Sequence, residues 1–225
     1  MDKFTNYQIA RHDLVKDVNY DVEKAKQVWD FIMSDDTPVT LKIEVANKPD
    51  GIYFILPGGK CIHTSVATDV DKLSSIAVGV KLGNRFANVA LKDKNDGEDI
   101  KLCKEYGGNE ERFKKTFADA ISDFDGIGNT KAMKSYLNPD IDLDENEYIP
   151  AVGEMHLILM HLNEINAALK KAGGDEIQHN YHWSSTEHNT GSAWYVYFNS
   201  GNTGNGYKGG SNVVRPSVAC ELSNL

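Results

Sequence analysis

The chain has 225 residues, with 24 Lys+Arg against 33 Asp+Glu, a formal net charge of −9, 40% hydrophobic and 25% charged residues. Those proportions exclude wholesale disorder, a collagenous repeat and a coiled-coil rod. The acidic balance also disfavours nucleic acid and anionic membranes as partners, since both reward basic surfaces.

Asp21 to Met33 carries Val22, Ala25, Val28, Trp29 and Ile32 at three- and four-residue spacing, which predicts a short amphipathic helix. Val39, Leu41, Ile43 and Val45 alternate with polar residues as a half-buried strand does. After a turn at Lys48-Pro49-Asp50-Gly51, further strands are expected at Ile52–Leu56, Lys60–His63, Ser75–Lys81 and Phe86–Leu91. The polar, acidic stretch that follows holds one helix at Glu110–Phe124, with Phe113, Phe117, Ile121 and Phe124 on one face, and a weaker one at Asn129–Leu137. Pro150 opens a longer helix that Gly173-Gly174 stops, with Asn163 as an N-cap that splits it. Strands return at Ala193–Phe198 and Val213–Val218, separated by a Gly/Asn loop. Two β regions flanking a helical middle predict an α+β fold in which both chain halves share one sheet.

No apolar run approaches the roughly 20 residues that cross a bilayer. The longest, Met155 to Leu162, is interrupted by His156 and His161, so membrane insertion is not expected. The first thirty residues hold Asp2, Lys3, Arg11, His12, Asp13, Lys16 and Asp17 and no apolar core, so no signal peptide is expected in this chain. Cys61, Cys103 and Cys220 are too few and too scattered for a disulfide framework or a thiolate metal site, and read as buried free thiols.

The charge is unevenly spread. Residues 177 to 225 contain two acids, Glu187 and Glu221, and two bases, Lys208 and Arg215, so the whole −9 lies in the first 176 residues. The tail is instead aromatic and amide-rich.

Familiar chemical motifs fail one by one. Asp140, Asp142 and Asp144 have calcium-loop spacing, but Glu145 stands where the loop needs Gly and Ala151 where it needs Glu, which excludes an EF-hand. A solvated acidic loop is the better reading, with an irregular calcium site as the alternative. His156 and His161 are five apart and cannot share a zinc-binding helix face. The glycines from Gly201 to Gly210 are followed by no Gly-Lys-Ser/Thr and no helix, so they do not form a phosphate loop. Ser184-Ser185 lacks the glycine-flanked elbow of a hydrolase nucleophile. No metal and no cofactor are expected.

What remains is recognition chemistry: rigid aromatics interleaved with Asn, Ser and Gly. Trp183, Trp194 and Phe198 read as core. By strand alternation Trp194, Val196 and Phe198 share one face, which turns Tyr195 and Tyr197 outward.

Several blocks resemble a family. Pro150-Ala151-Val152-Gly153-Glu154-Met155, Glu164-Ile165-Asn166-Ala167-Ala168-Leu169 ending in Gly173-Gly174, Trp183-Ser184-Ser185-Thr186-Glu187, Ala193-Trp194 and Val214-Arg215-Pro216 look like bacterial and phage C-type-lectin-like domains. Those include the variable (target) proteins of diversity-generating retroelements. Ala77-Val78-Gly79-Val80, Val89 to Asp93 and Gly128 to Ala132 fit the same order, so the match runs from about Gly51 to Ala219.

The resemblance implies a C-type-lectin-like α+β fold: a mixed antiparallel sheet, two or more helices and a loop-rich C-terminal ligand-binding face. Residues 49–225 would be this domain, with 178–218 its variable-type region. Residues 1–48 lie outside, as an attachment or oligomerisation segment or as extra packing. The implied role is non-enzymatic display on a phage virion or bacterial cell surface, the alternative address being the cytoplasm. The partner would be a protein or glycan receptor on another cell or particle. Implied variable contacts are Asn180, His182, His188, Asn189, Thr190, Ser192, Tyr195, Tyr197, Asn199, Asn202, Asn205 and Tyr207, while Trp183, Trp194, Arg215 and Pro216 match the scaffold.

Calcium-dependent sugar binding is not implied, because the Glu-Pro-Asn, Gln-Pro-Asp and Trp-Asn-Asp motifs are missing. Formylglycine-type oxidation, a third reading, lacks the second cysteine between Cys103 and Cys220 that it needs. A structural subunit of a phage tail or surface assembly, homo-oligomeric through the Asp21–Met33 helix, is the second.

Overall fold

A computed structural model describes residues 48–220. The helix expected at Asp21–Met33 and the strand at Val39–Val45 lie outside the described residues.

The first sheet grows from the alternating apolar segments at the start of this region. Its four antiparallel strands are β1 (Gly51–Ile55), β2 (Cys61–His63), β3 (Ala77–Leu82) and β4 (Arg85–Ala90), in the order β2-β1-β3-β4. The five-residue helix α1 (Asp69–Leu73) connects β2 to β3. Ile52, Phe54, Val78, Val80, Ala87 and Val89 point to one face and join the main core. That core is completed by the helices α4 (Val152–Met160) and α5 (Leu162–Lys171), through Val152, Met155, Ile158, Ile165 and Leu169. Each of these large side chains contributes about 1.5–3 kcal/mol by leaving water.

The second sheet is antiparallel and three-stranded: β7 (Tyr181–Glu187), β8 (Ser192–Tyr197) and β9 (Asn202–Tyr207), in that order. Trp194, Val196 and Phe198 enter the main core from one face, while Trp183 and Ala193 enter a second cluster with Leu102, Met133, Ile149 and Val214. Short pairings tie the chain together: β5 (Ile100–Lys101) with β10 (Ser211–Asn212), and β6 (Glu147–Tyr148) with β11 (Ser217–Val218). The molecule is therefore α+β with antiparallel sheets. Among the described residues the two halves do not share one large sheet, as the sequence suggested; they meet through these short ladders and through α4, which packs on both sheets.

Tertiary contacts override three helix expectations. Glu110–Phe124 is a 3₁₀ turn, Glu110–Arg112, followed by extended chain and the short α2 (Phe117–Ile121). The Lys114 backbone bonds the end of β7, donating to the Glu187 carbonyl, and its own carbonyl accepts from the Trp194 indole at 2.8 Å, so this stretch cannot coil. Helix α3 runs Gly126–Met133, starting earlier than Asn129 because Asp125 caps it by accepting from Gly128 N–H. The break between α4 and α5 falls at His161, not Asn163. Gly153 is required near the start of α4: a Cβ there would lie 2.5 Å from the Asp123 carbonyl oxygen and 2.4 Å from the Phe124 ring. Among the described residues no helix is long and apolar enough to cross a membrane.

Candidate ligand-binding surface

The register of β7-β8-β9 decides which tail residues reach solvent. Tyr181 lies opposite Tyr197, which lies opposite Asn202; Trp183 lies opposite Tyr195, which lies opposite Gly204. These residues share the face turned away from the main core. Tyr181 stacks on Tyr197, with centroids 4.4 Å apart and planes at 22°, and meets Tyr195 edge-on at 5.2 Å. Asn199 donates to the Tyr197 hydroxyl at 3.3 Å, and both Asn199 and Asn202 are exposed. Three tyrosines and two amides therefore form one uncharged shelf.

Tyr195 is part of the shelf's frame. Its ring lies across β9, so a Cβ at Gly204 would come within 2.7 Å of its hydroxyl, and one at Gly206 within 3.2 Å of its ring. The two glycines that looked like loop residues form the seat of an aromatic in a regular strand. Among the described residues, β9 is also the open edge of its sheet. The Lys208 N–H donates to the Gly191 carbonyl, so the β8–β9 ladder continues through Gly206, Gly204 and Asn202. In an antiparallel ladder the alternate residues, Thr203, Asn205 and Tyr207, then direct their backbone groups away from β8.

The remaining candidates separate. His188, Asn189 and Thr190 form the β7–β8 turn at the other end of the sheet, where Ser192 lies opposite the exposed Tyr207. Tyr207 packs against Tyr106, centroids 5.6 Å apart, and their shared hydrogen bond raises the Tyr106 hydroxyl pKa. His188 lies edge-on to Trp194 and accepts an Asn189 side-chain contact at 2.9 Å. Asn205 is exposed on the core-side face of β9, and Asn180, partly exposed, precedes β7. The twelve positions thus occupy two ends of one sheet.

His182 is a correction. It is fully buried, its Nδ1 bonds the Asn180 carbonyl at 3.0 Å, and its ring packs on Phe198, so it serves the scaffold and is closed to a ligand. Burial lowers its pKa. Sequence reasoning also passed over Tyr181 and Tyr106, which are 39% and 71% exposed. The signal for Tyr181 was its two-residue spacing from Trp183, which places both on one face.

Three buried polar clusters hold this surface. Lys208 and Glu187, 2% and 3% exposed, form an ion pair beneath the β7–β8 turn. Lys208 also donates to the carbonyls of Gly107 at 2.6 Å and Thr190 at 3.2 Å, and Glu187 accepts from Tyr136 Oη and Asn109 N–H. Arg215 donates to the carbonyls of Ala90, Leu91 and Asp175 and pairs with Asp93 at 3.2 Å, joining β4 to the end of α5. At the start of α4, Thr186 Oγ1 donates to Asp123 and accepts from Val152 N–H, while Glu154 accepts from Ala151 N–H at 2.7 Å. Burial pushes the Glu154 carboxyl up to about 8.

The acidic loop is structural too. Asp142 adopts a left-handed backbone conformation, its carbonyl accepts from Lys94, and Lys94 pairs with Glu147 at 2.5 Å. Among the described residues no three His, Cys, Asp or Glu side chains converge as metal ligands do. No protein-family model, curated protein or solved structure matches the chain.

Proposed function

We propose that the protein is a non-enzymatic binding protein with a C-type-lectin-like domain, a variable protein of the diversity-generating-retroelement type, displayed on a phage virion or bacterial surface. The observation that carries this reading is the Tyr181–Tyr195–Tyr197 shelf with Asn199 and Asn202, solvent-facing and free of charge, mounted on a sheet whose other face is locked into the core. Aromatic area with adaptable amides suits a protein or glycan receptor. Buried ion pairs anchor the turns from beneath, so surface residues are exchangeable without touching the supports. Tyr195 and His182 leave the set of exchangeable positions; Tyr181 joins it, and Asn180 and Ser192 stay in it.

Sequencing copies of the gene across a population tests this. Differences should concentrate at Asn180, Tyr181, His188, Asn189, Thr190, Ser192, Tyr197, Asn199, Asn202, Asn205 and Tyr207, with His182, Trp183, Trp194 and Arg215 fixed. Uniform copies, with no neighbouring near-repeat and reverse transcriptase, would remove the diversification claim.

The β9 edge, open among the described residues, favours a second reading, a subunit of a phage tail or surface assembly, because unpaired strand edges join chains. A monomeric mass in solution, unchanged on deleting residues 1–48, would count against it.

A further inference from the structure

The sequence separates Cys61 from Cys220 by most of the chain, and the fold brings them together. One row runs straight across the first sheet: Cys61 opposite Ile55, Ile55 opposite Ala77, Ala77 opposite Ala90. All four are buried on the face turned away from the helices. Two are alanines, so the row is shallow there, and the C-terminal residues fill it. Val218 is fixed by both arms of the Asn88 amide at 2.8 and 3.0 Å, Ser217 Oγ donates to the Asn88 carbonyl, and Ala219 N–H donates to the Asn146 carbonyl. Val218 belongs to the same buried cluster as Cys61, and Cys220 packs against that cluster, while the Cys61 thiol donates to the Gly59 carbonyl at 3.6 Å. None of the three cysteines is in a disulfide; Cys61 and Cys103 are buried, and Cys220 is partly exposed.

We propose that Cys61 and Cys220 are a redox pair that closes a disulfide, fastening the C-terminal strand β11 to the edge strand β2. The ring so formed encloses nearly the whole described domain, including the binding shelf. The oxidant is a small disulfide of the oxidised-glutathione class. The accessible Cys220 thiolate attacks one glutathione sulfur, breaking its S–S bond and releasing one glutathione thiolate, which takes up the proton lost by Cys220. The Cys61 thiolate then attacks Cys220 Sγ in the mixed disulfide, forming the protein S–S bond and expelling the second glutathione, which takes up the Cys61 proton. Two protein thiols are oxidised by two electrons, and one glutathione disulfide is reduced to two thiols. The neighbouring Cys61 thiol, and after it burial, raise the Cys220 pKa, so the first step accelerates with pH. Cys103 stands apart: burial holds its thiol up at about 12, in the cluster under Tyr136.

The proposal goes beyond the binding reading and does not depend on it. The full chain, with Cys103→Ser to leave only the pair, is incubated natively with oxidised glutathione at pH 8.5 and analysed by intact mass and non-reducing peptide mapping. The expected result is a species two hydrogens lighter, a linked peptide joining Cys61 to Cys220, and a melting midpoint raised by about 10 °C that a dithiol reverses. Cys220→Ser, altering a partly exposed position, should keep the fold and lose the link. A stable glutathione adduct at Cys220 with no linked peptide would overturn the proposal, as would a link that forms only after denaturation.

Discussion

Lys208→Met isolates the buried ion pair under the β7–β8 turn. Its ammonium group, 2% exposed with its residue, serves Glu187, the Gly107 carbonyl and the Thr190 carbonyl together. Methionine keeps the stem volume and removes all three bonds, leaving the Glu187 carboxylate buried with only Tyr136 Oη and Asn109 N–H. Breaking a buried pair from one side costs about 3–5 kcal/mol, against about 0–1 kcal/mol for an exposed pair. For a domain of this size that is roughly a 6–20 °C fall in melting midpoint. Urea denaturation of wild type, Lys208→Met, Glu187→Gln and the double variant should show the cost and a coupling of about 2 kcal/mol or more, since neighbours in one network are not additive. Native hydrogen exchange should open first at Gly107, whose N–H donates to the Thr190 carbonyl at 3.4 Å. A loss under about 1 kcal/mol with no coupling would refute the reasoning, because it would mean that the pair is solvated.

Glu154→Gln should flatten the pH dependence of stability. The folded carboxyl titrates near 8 against an unfolded 4.5, so the fold favours the protonated form; this stabilisation is complete below pH 4.5 and disappears as pH rises to 8. The ceiling is on the order of 5 kcal/mol, read by denaturation at several pH values, and an equal slope in both proteins would contradict it. Gly204→Ala should cost about 1–3 kcal/mol and displace Tyr195, and Gly206→Ala less, as their Cβ clearances of 2.7 and 3.2 Å require; thermal melts check the order. Arg215→Lys should destabilise by about 2–4 kcal/mol in urea, because an ammonium group cannot reach the Ala90, Leu91 and Asp175 carbonyls that the guanidinium fork spans.

Alternation carried most of what was legible. Val78, Val80, Ala87 and Val89 announce β3 and β4, and the parity of Trp194, Val196 and Phe198 places them in the core and turns Tyr195 and Tyr197 to the other face. What the sequence concealed depends on partners far along the chain. Asn202–Tyr207, with two glycines, has little strand propensity of its own; it is a strand because β8 supplies a ladder and Tyr195 needs the glycines beneath it. Phe113 and Phe117 have helical spacing, yet β7 and Trp194 take the Lys114 backbone groups. His182 has the composition of a contact residue, but its parity places it with Val196 and Phe198 inside. The approach of Cys61 to Cys220 is set by three sheet registers at once, and no local pattern encodes it.

In the proposed function a fixed scaffold carries an exchangeable recognition surface. Two libraries of the full chain, one randomised at Tyr181, Tyr197, Asn199 and Asn202 and the other at His182, Trp183, Trp194 and Arg215, can be compared by the fraction of clones that resist protease. Most clones of the first should stay folded and most of the second should be digested; equal losses would contradict the division between surface and support.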